Sequence, residues 1–137
     1  MRIDFWRRST RWTSRAWPSC AGAVVGYYTL VAGEVTHESA TDDVRRGLSR
    51  HFPIPVAILA RLAVGHDHQG RGVGASLLLD ALRRVERASR EVAVRAVAVH
   101  AIDGAAAAFY SHHGFRPRAG DQRTLMVTLD EIRAADL

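Results

Sequence analysis

Gln69-Gly70-Arg71-Gly72-Val73-Gly74 lies between a strand-like run, Ile58-Leu59-Ala60-Arg61-Leu62-Ala63-Val64, and a run of helical spacing that opens at Val73. Three glycines in six residues let the main chain take conformations closed to other residues and leave no side chain to block an approaching ligand. The amide hydrogens of such a turn can point at an anion, with the positive end of the following helix behind them. The turn reads as a pyrophosphate cradle. It is not a P-loop, because no Lys-Ser/Thr pair ends it and the chain has no lysine at all. Nor does it match a dinucleotide fingerprint, which opens a long alternating unit and has an acidic residue closing the second strand about 20 residues on.

Outward from the turn, the pattern predicts a sheet with helices packed on it. Apolar residues at 73, 77, 78, 81, 82, 85 and 88 follow helical spacing, opposite Asp80, Arg83, Arg84, Glu86, Arg87 and Arg90. Pro53 and Pro55 start the strand before the turn and Gly65 closes it. Val92 to Val99 is β-branched and apolar with Arg95 its only charge, which predicts a strand buried on both faces. Gly104 to His113 is a short Ala-rich helix stopped at Gly114. Phe115, then Leu125 to Leu129, supply the last strands. Upstream, Ala23 to Val31 is rich in Val and Tyr and reads as a strand. Arg15 to Cys20 is the first strand, and Pro18 places it at an edge. His37 to His51 is a polar surface connection, a loop or a short helix. Met1 to Trp12 has neither a cap nor a clean period.

Composition limits what such a sheet can serve. A chain of 137 residues makes one domain, 1–137, with a single core. Its apolar runs are too short and interrupted to span a bilayer. A lone cysteine, Cys20, makes no internal disulfide and has no zinc-finger neighbours. No apolar leader core precedes it, so a reducing cytoplasm is expected. Arg2, Arg7, Arg8, Arg11 and Arg15 against Asp4 read as a basic surface segment, with a presequence as the alternative. The nineteen basic residues are all arginine and the net charge is +5, more than one cofactor pocket needs, which favours a large polyanionic partner over merely solvated arginines.

About 30 residues beyond the turn come Asp103-Gly104-Ala105-Ala106-Ala107-Ala108-Phe109-Tyr110 and then His113-Gly114-Phe115. A Gln/Arg-x-x-Gly-x-Gly/Ala turn, an Asn or Asp seven residues before a Tyr, and a Gly-Phe pair resemble the GCN5-related N-acetyltransferases (GNAT). Gly26-Tyr27-Tyr28-Thr29-Leu30, Ile54-Pro55-Val56, Arg61-Leu62-Ala63-Val64 and Val99-His100-Ala101 narrow the resemblance to the acetyltransferase toxins of bacterial type II toxin–antitoxin pairs. It covers residues 14–137, with a shorter N-terminal region than those toxins carry. The resemblance implies an α/β mixed sheet flanked by helices, in which a splayed central strand pair binds acetyl-CoA. It also implies acetylation of the amino group of aminoacyl-tRNA, arrest of translation, a ribbon-helix-helix antitoxin as partner, and a possible homodimer.

Residue by residue, the resemblance puts the pyrophosphate on Gln69, Gly70, Arg71, Gly72, Val73 and Gly74. It puts the pantetheine arm along Leu62, Ala63 and Val64, with an amide there facing the thioester oxygen, and it includes Asp103 and Phe109 in the cofactor site. Tyr110 is the expected general acid, since a phenol is protonated at neutral pH and can give its proton to the departing thiolate. A helix tyrosine with its ring in the core is the alternative. Asp103 reads both as a ligand of the pantetheine amide and as a helix N-cap. Arg71 reads as a pyrophosphate contact or a solvated arginine. Arg45, Arg46 and Arg50, with Arg116 and Arg118, are the candidates for a tRNA path. No base is obvious; His100 reads as a core-edge histidine or a proton relay through water. His66, Asp67 and His68, and the pair His112-His113, do not have metal-site spacing, and no metal is expected. Two further readings stay open: an acetyltransferase for small amines or protein termini, and a coenzyme A-binding remnant without turnover.

Overall fold

A computed structural model describes residues 24–137. The Arg15 to Cys20 strand, the basic segment before it and Cys20 itself lie outside the described residues. The elements run β1 (Gly26–Val35), α1 (Asp42–Arg45), β2 (Ile54–Val64), a 3-10 turn (His66–His68), α2 (Val73–Ala88), β3 (Ala96–His100), α3 (Gly104–His112), β4 (Arg116–Arg118), β5 (Asp121–Thr128) and α4 (Leu129–Ala134). The strands form one sheet in the order β1-β2-β3-β5-β4, parallel between β2 and β3 and antiparallel elsewhere. None of the described helices is long and apolar enough to cross a membrane.

The two sheet faces carry two cores. Ala57, Leu59, Val97, Val99, Leu125 and Val127 point to the face covered by α2, α3 and α4. There α2 buries Val73, Leu77, Leu78, Ala81, Leu82 and Val85, the stripe its periodicity predicts. Ile54, Val56, Ala96, Ala98 and Met126 point to the other face, where Val44 of α1 is fully buried among them. A helix of four residues has no stability of its own. Arg95 holds it: its Nε donates to the Val44 carbonyl at 3.0 Å, and its Nη2 donates to the carbonyls of Asp43 and Arg46 at 3.5 and 3.3 Å. Arg95→Met keeps much of the aliphatic stem and leaves those carbonyls unpartnered, so a loss of about 1–3 kcal/mol is expected in denaturant unfolding. Hydrogen exchange should quicken first in residues 36–53.

Three boundaries differ from the sequence expectation. β3 starts at Ala96 rather than Val92, because Val92 is exposed and Arg95 is drawn onto α1. β1 extends to Val35, since pairing with β2 continues to Val35↔Ile54. Leu129 is not in a strand: it opens α4, which the sequence reading missed. The signal was present, because Thr128 and Glu131 form a capping box in which Glu131 N donates to Thr128 Oγ1 at 3.1 Å and Thr128 N donates to Glu131 Oε2 at 3.0 Å.

The central pair splays, and the reason is local. β2 and β3 pair only from Val56↔Ala96 to Leu59↔Val99, although β2 continues to Val64. At that point the β1–β2 register slips: Thr29 faces Arg61 and Leu30 faces Leu59, leaving Ala60 as an unpaired extra residue. Such a bulge bends the strand and raises its twist. Thr29 Oγ1, beside the slip, is the buried side-chain polar atom left without a hydrogen bond among the described residues.

Candidate active site

The gap between β2 and β3 opens at Leu59 and Val99 and leads directly to the glycine turn. Leu62, Ala63 and Val64 line its β2 side, half-buried, still paired with β1 but with no β3 partner. Beyond Leu59 the β3-facing edge of β2 has no strand partner. Gly65 N donates to Val25 O at 2.6 Å, and Gln69 Nε2 donates to Val64 O at 3.2 Å, which ties the turn back to the strand end.

Gly70 and Gly72 both have positive φ, 75° and 80°, and a Cβ at either would meet no atom within 4 Å. The cradle is therefore open on its ligand side, and its glycines answer to backbone conformation rather than to crowding. Gly72 is the left-handed N-cap of α2 and lends no side-chain cap. The amides of the first helical turn stay unclaimed by any side chain, which suits an anion. Arg71 is exposed and makes no ion pair among the described residues.

α3 closes the other side. Asp103 caps it, its Oδ1 accepting from Ala106 N at 2.8 Å, so the N-cap role is realised, and the exposed carboxylate keeps a second oxygen. Gly74 sits 3.7 Å, by its Cβ direction, from the Phe109 ring, bringing the start of α2 against α3. Phe109 meets Tyr110 edge-on at 5.2 Å, and Tyr110 packs on Phe115 at 5.5 Å. Tyr110 is the buried residue of α3, and burial pushes its pKa from 10.0 up to about 12. Its hydroxyl makes no hydrogen bond among the described residues. The ring is in the core, as the packing reading expects, and burial keeps the phenol protonated, which is the state the acid reading needs.

The predicted cofactor residues converge; the predicted acceptor residues are a separate group. Arg45 and Arg46 lie on or beside α1, on the second face of the sheet, paired with Asp42 and Asp43. Arg116 bridges Asp43 and Glu131. Arg50 is exposed and unpaired among the described residues, and Arg118 shares a 210 Å³ cavity with Arg45, Asp42 and Glu38. α1 sits over Ala96 and Ala98, one and three residues along β3 from Val99, so Arg45 and Arg46 flank the mouth of the gap about 3–10 Å away at the rise of a strand. No group of three or more His, Cys, Asp or Glu converges among the described residues.

His100 differs from its sequence reading. It is exposed rather than at a core edge, and its Nδ1 lies 3.2 Å from Thr124 Oγ1. The partner was invisible in sequence, because it comes from the antiparallel pairing His100↔Thr124 across 24 residues.

A splayed parallel pair, a glycine turn at a helix N-terminus and a tyrosine on the next helix define an acyl-CoA-dependent transferase site. The chain belongs to the GNAT acetyltransferase domain family, whose pattern matches residues 17–117. It is 42% identical over 122 residues to the tRNA-acetylating toxin of Mycobacterium tuberculosis, an alignment covering 88% of this chain and 72% of that protein. Among solved structures, AtaT complexed with acetyl-methionyl-tRNAfMet superposes with a TM-score of 0.74 at 28% identity, covering 83% of this chain and 68% of AtaT. A tyrosine-to-phenylalanine variant of AtaT bound to the C-terminus of the antitoxin AtaR and to acetyl-CoA gives 0.70 at 29%, covering 85% and 67%.

Proposed function

We propose that this chain transfers the acetyl group of acetyl-CoA to the α-amino group of an aminoacyl-tRNA and so blocks translation, as the toxin of a toxin–antitoxin pair. The observation that carries the reading is the 42% identity with a tRNA-acetylating toxin over 88% of this chain. The site fits the donor: open glycines at 70 and 72, free amides at the start of α2 and an unpaired β2 edge suit a pyrophosphate followed by an amide-bearing arm. When bound, acetyl-CoA supplies the activated acyl group.

In this reading Gln69 to Gly74 hold the pyrophosphate, and Leu62, Ala63 and Val64 hold the arm by their backbone. Asp103 and Phe109 flank it, and Tyr110 gives its proton to the sulfur. Arg45, Arg46 and Arg50 meet the tRNA backbone on the far sheet face. A ribbon-helix-helix antitoxin is the partner, in the cytoplasm.

The test mixes the protein with labelled acetyl-CoA and total charged tRNA. Label is expected in tRNA and is expected to leave on mild alkaline deacylation; label on proteins or small amines alone, with tRNA clean, refutes the substrate. Because Arg50, unlike Arg45 and Arg46, makes no ion pair among the described residues, Arg50→Glu should weaken tRNA binding and lower the salt slope by about one, with acetyl-CoA affinity unchanged. An unaltered slope removes Arg50 from the path.

A further inference from the structure

We propose that His100 is the group that accepts the acceptor amine's proton: its Nε2 is kept free by a hydrogen-bonded chain from Asp121 through Thr124 to Nδ1, at the mouth of the β2–β3 gap. The proposal rests on the acetyl-transfer reading and supplies the base that reading lacks.

The direction of each bond follows from counting protons. The Thr124 hydroxyl has one, and donates it to Asp121 Oδ2 at 2.7 Å. Asp121 can only accept, because that bond, together with the Arg123 amide at 3.0 Å, holds its carboxyl below the usual range. Thr124 Oγ1 therefore meets His100 Nδ1 with a lone pair, and Nδ1 must carry the hydrogen across the 3.2 Å between them. Neutral His100 is thus the Nδ1–H tautomer, with its lone pair on Nε2. A carboxylate orients a catalytic imidazole in the same way in hydrolase triads; here the link passes through a hydroxyl.

Position completes the argument. Val99 is the last β3 residue paired with β2, so His100 stands where the gap opens. It is in phase with Ala96 and Ala98, while Val97 and Val99 face the core that holds Tyr110. Acid and base therefore belong to opposite faces of the sheet on either side of the gap. The charges on the surrounding elements are Asp121 and Arg123 of β5, Arg118 of β4 opposite Asp121, Arg61 of β2 and Asp103 of the next turn. Arg123 Nη1 donates to the Ile102 carbonyl and Arg61 Nη1 to the Tyr27 hydroxyl, each at 3.3 Å, so Asp121 is the charge joined to the ring by hydrogen bonds.

The protons balance. The ammonium gives one proton to Nε2, and the nitrogen lone pair forms the C–N bond to the acetyl carbon as the C–S bond breaks. Tyr110 protonates the sulfur and is restored by the second proton from nitrogen. His100 returns its proton to water, and the sum is amide, thiol and one released proton.

The test uses the full chain and any acceptor it acetylates. A merely structural His100 would give the same deficit at every pH. A proton acceptor matters most where the amine arrives charged, and an α-amino group titrates near pH 7.7–8.0. His100→Gln should therefore cost about a hundredfold in turnover near pH 7, above the ordinary imidazole range and below that of the α-amino group, and less than about fivefold near pH 8.5, with unchanged acetyl-CoA affinity. Thr124→Val should reproduce part of the loss, and Thr124→Ser should restore it. Independently of activity, ¹⁵N NMR of histidine-labelled protein should report the Nδ1–H tautomer for His100, lost in Thr124→Val and regained in Thr124→Ser. An Nε2–H tautomer in the parent, or a pH-independent His100→Gln deficit, overturns the proposal while leaving acetyl transfer standing. A parent that acetylates no amine defeats both.

Discussion

Tyr110→Phe is expected to bind acetyl-CoA as the parent does and to turn over at least about a hundredfold more slowly. The substitution keeps the ring and therefore its contacts with Phe109 and Phe115. It removes a hydroxyl that has no hydrogen-bond partner among the described residues, so no buried group is left stranded and stability should move by less than about 1 kcal/mol. Calorimetry with acetyl-CoA and single-turnover acetylation separate the two quantities. A near-normal rate on an acceptor the parent uses would return Tyr110 to a packing role alone. The raised pKa adds a second reading. The folded state keeps this proton up to about pH 12, whereas the unfolded chain releases it near 10.0, so the contribution to stability is whole below about pH 10 and declines as pH rises toward 12. The alkaline decline should therefore be shallower in Tyr110→Phe. Tyr28, whose pKa burial and the hydrogen bond it donates to Asp80 also raise, contributes to what remains.

The geometry of the candidate donor half was legible in sequence because local rules govern it. A glycine turn between a strand and an amphipathic helix, and an aspartate at an N-cap seven residues before a tyrosine, are contiguous patterns whose geometry follows from backbone preference. The α2 stripe was legible for the same reason. The long-range contacts were not, because their parts meet only through strand register and tertiary packing. His100 finds Thr124 across an antiparallel pair, and Arg95 finds the α1 carbonyls about 50 residues away. The bulge at Ala60, which bends β2 off β3, carries no residue signature of its own; alanine neither demands nor forbids it. α4 is different: Thr128-x-x-Glu131 is a local signal, overlooked because the apolar run through Leu129 reads as a strand.

Gly72→Glu is expected to abolish acetyl-CoA binding in a protein that still folds. At φ 80° any side chain costs about 1–2 kcal/mol in backbone strain, but a Cβ there meets no protein atom within 4 Å, so crowding adds nothing. The damage beyond strain falls on whatever occupies the cradle. There the carboxylate competes for the α2 amides that would bind pyrophosphate, and repels it. Strain alone is measured by a matched control. Gly47, in the loop after α1, has φ 76° and equally open surroundings, so Gly47→Glu should lower the unfolding midpoint by a similar amount and leave acetyl-CoA affinity untouched. If the two variants lose stability alike and both bind acetyl-CoA as the parent does, the pyrophosphate does not sit on Gln69 to Gly74, and the donor must enter by another side of the β2–β3 gap.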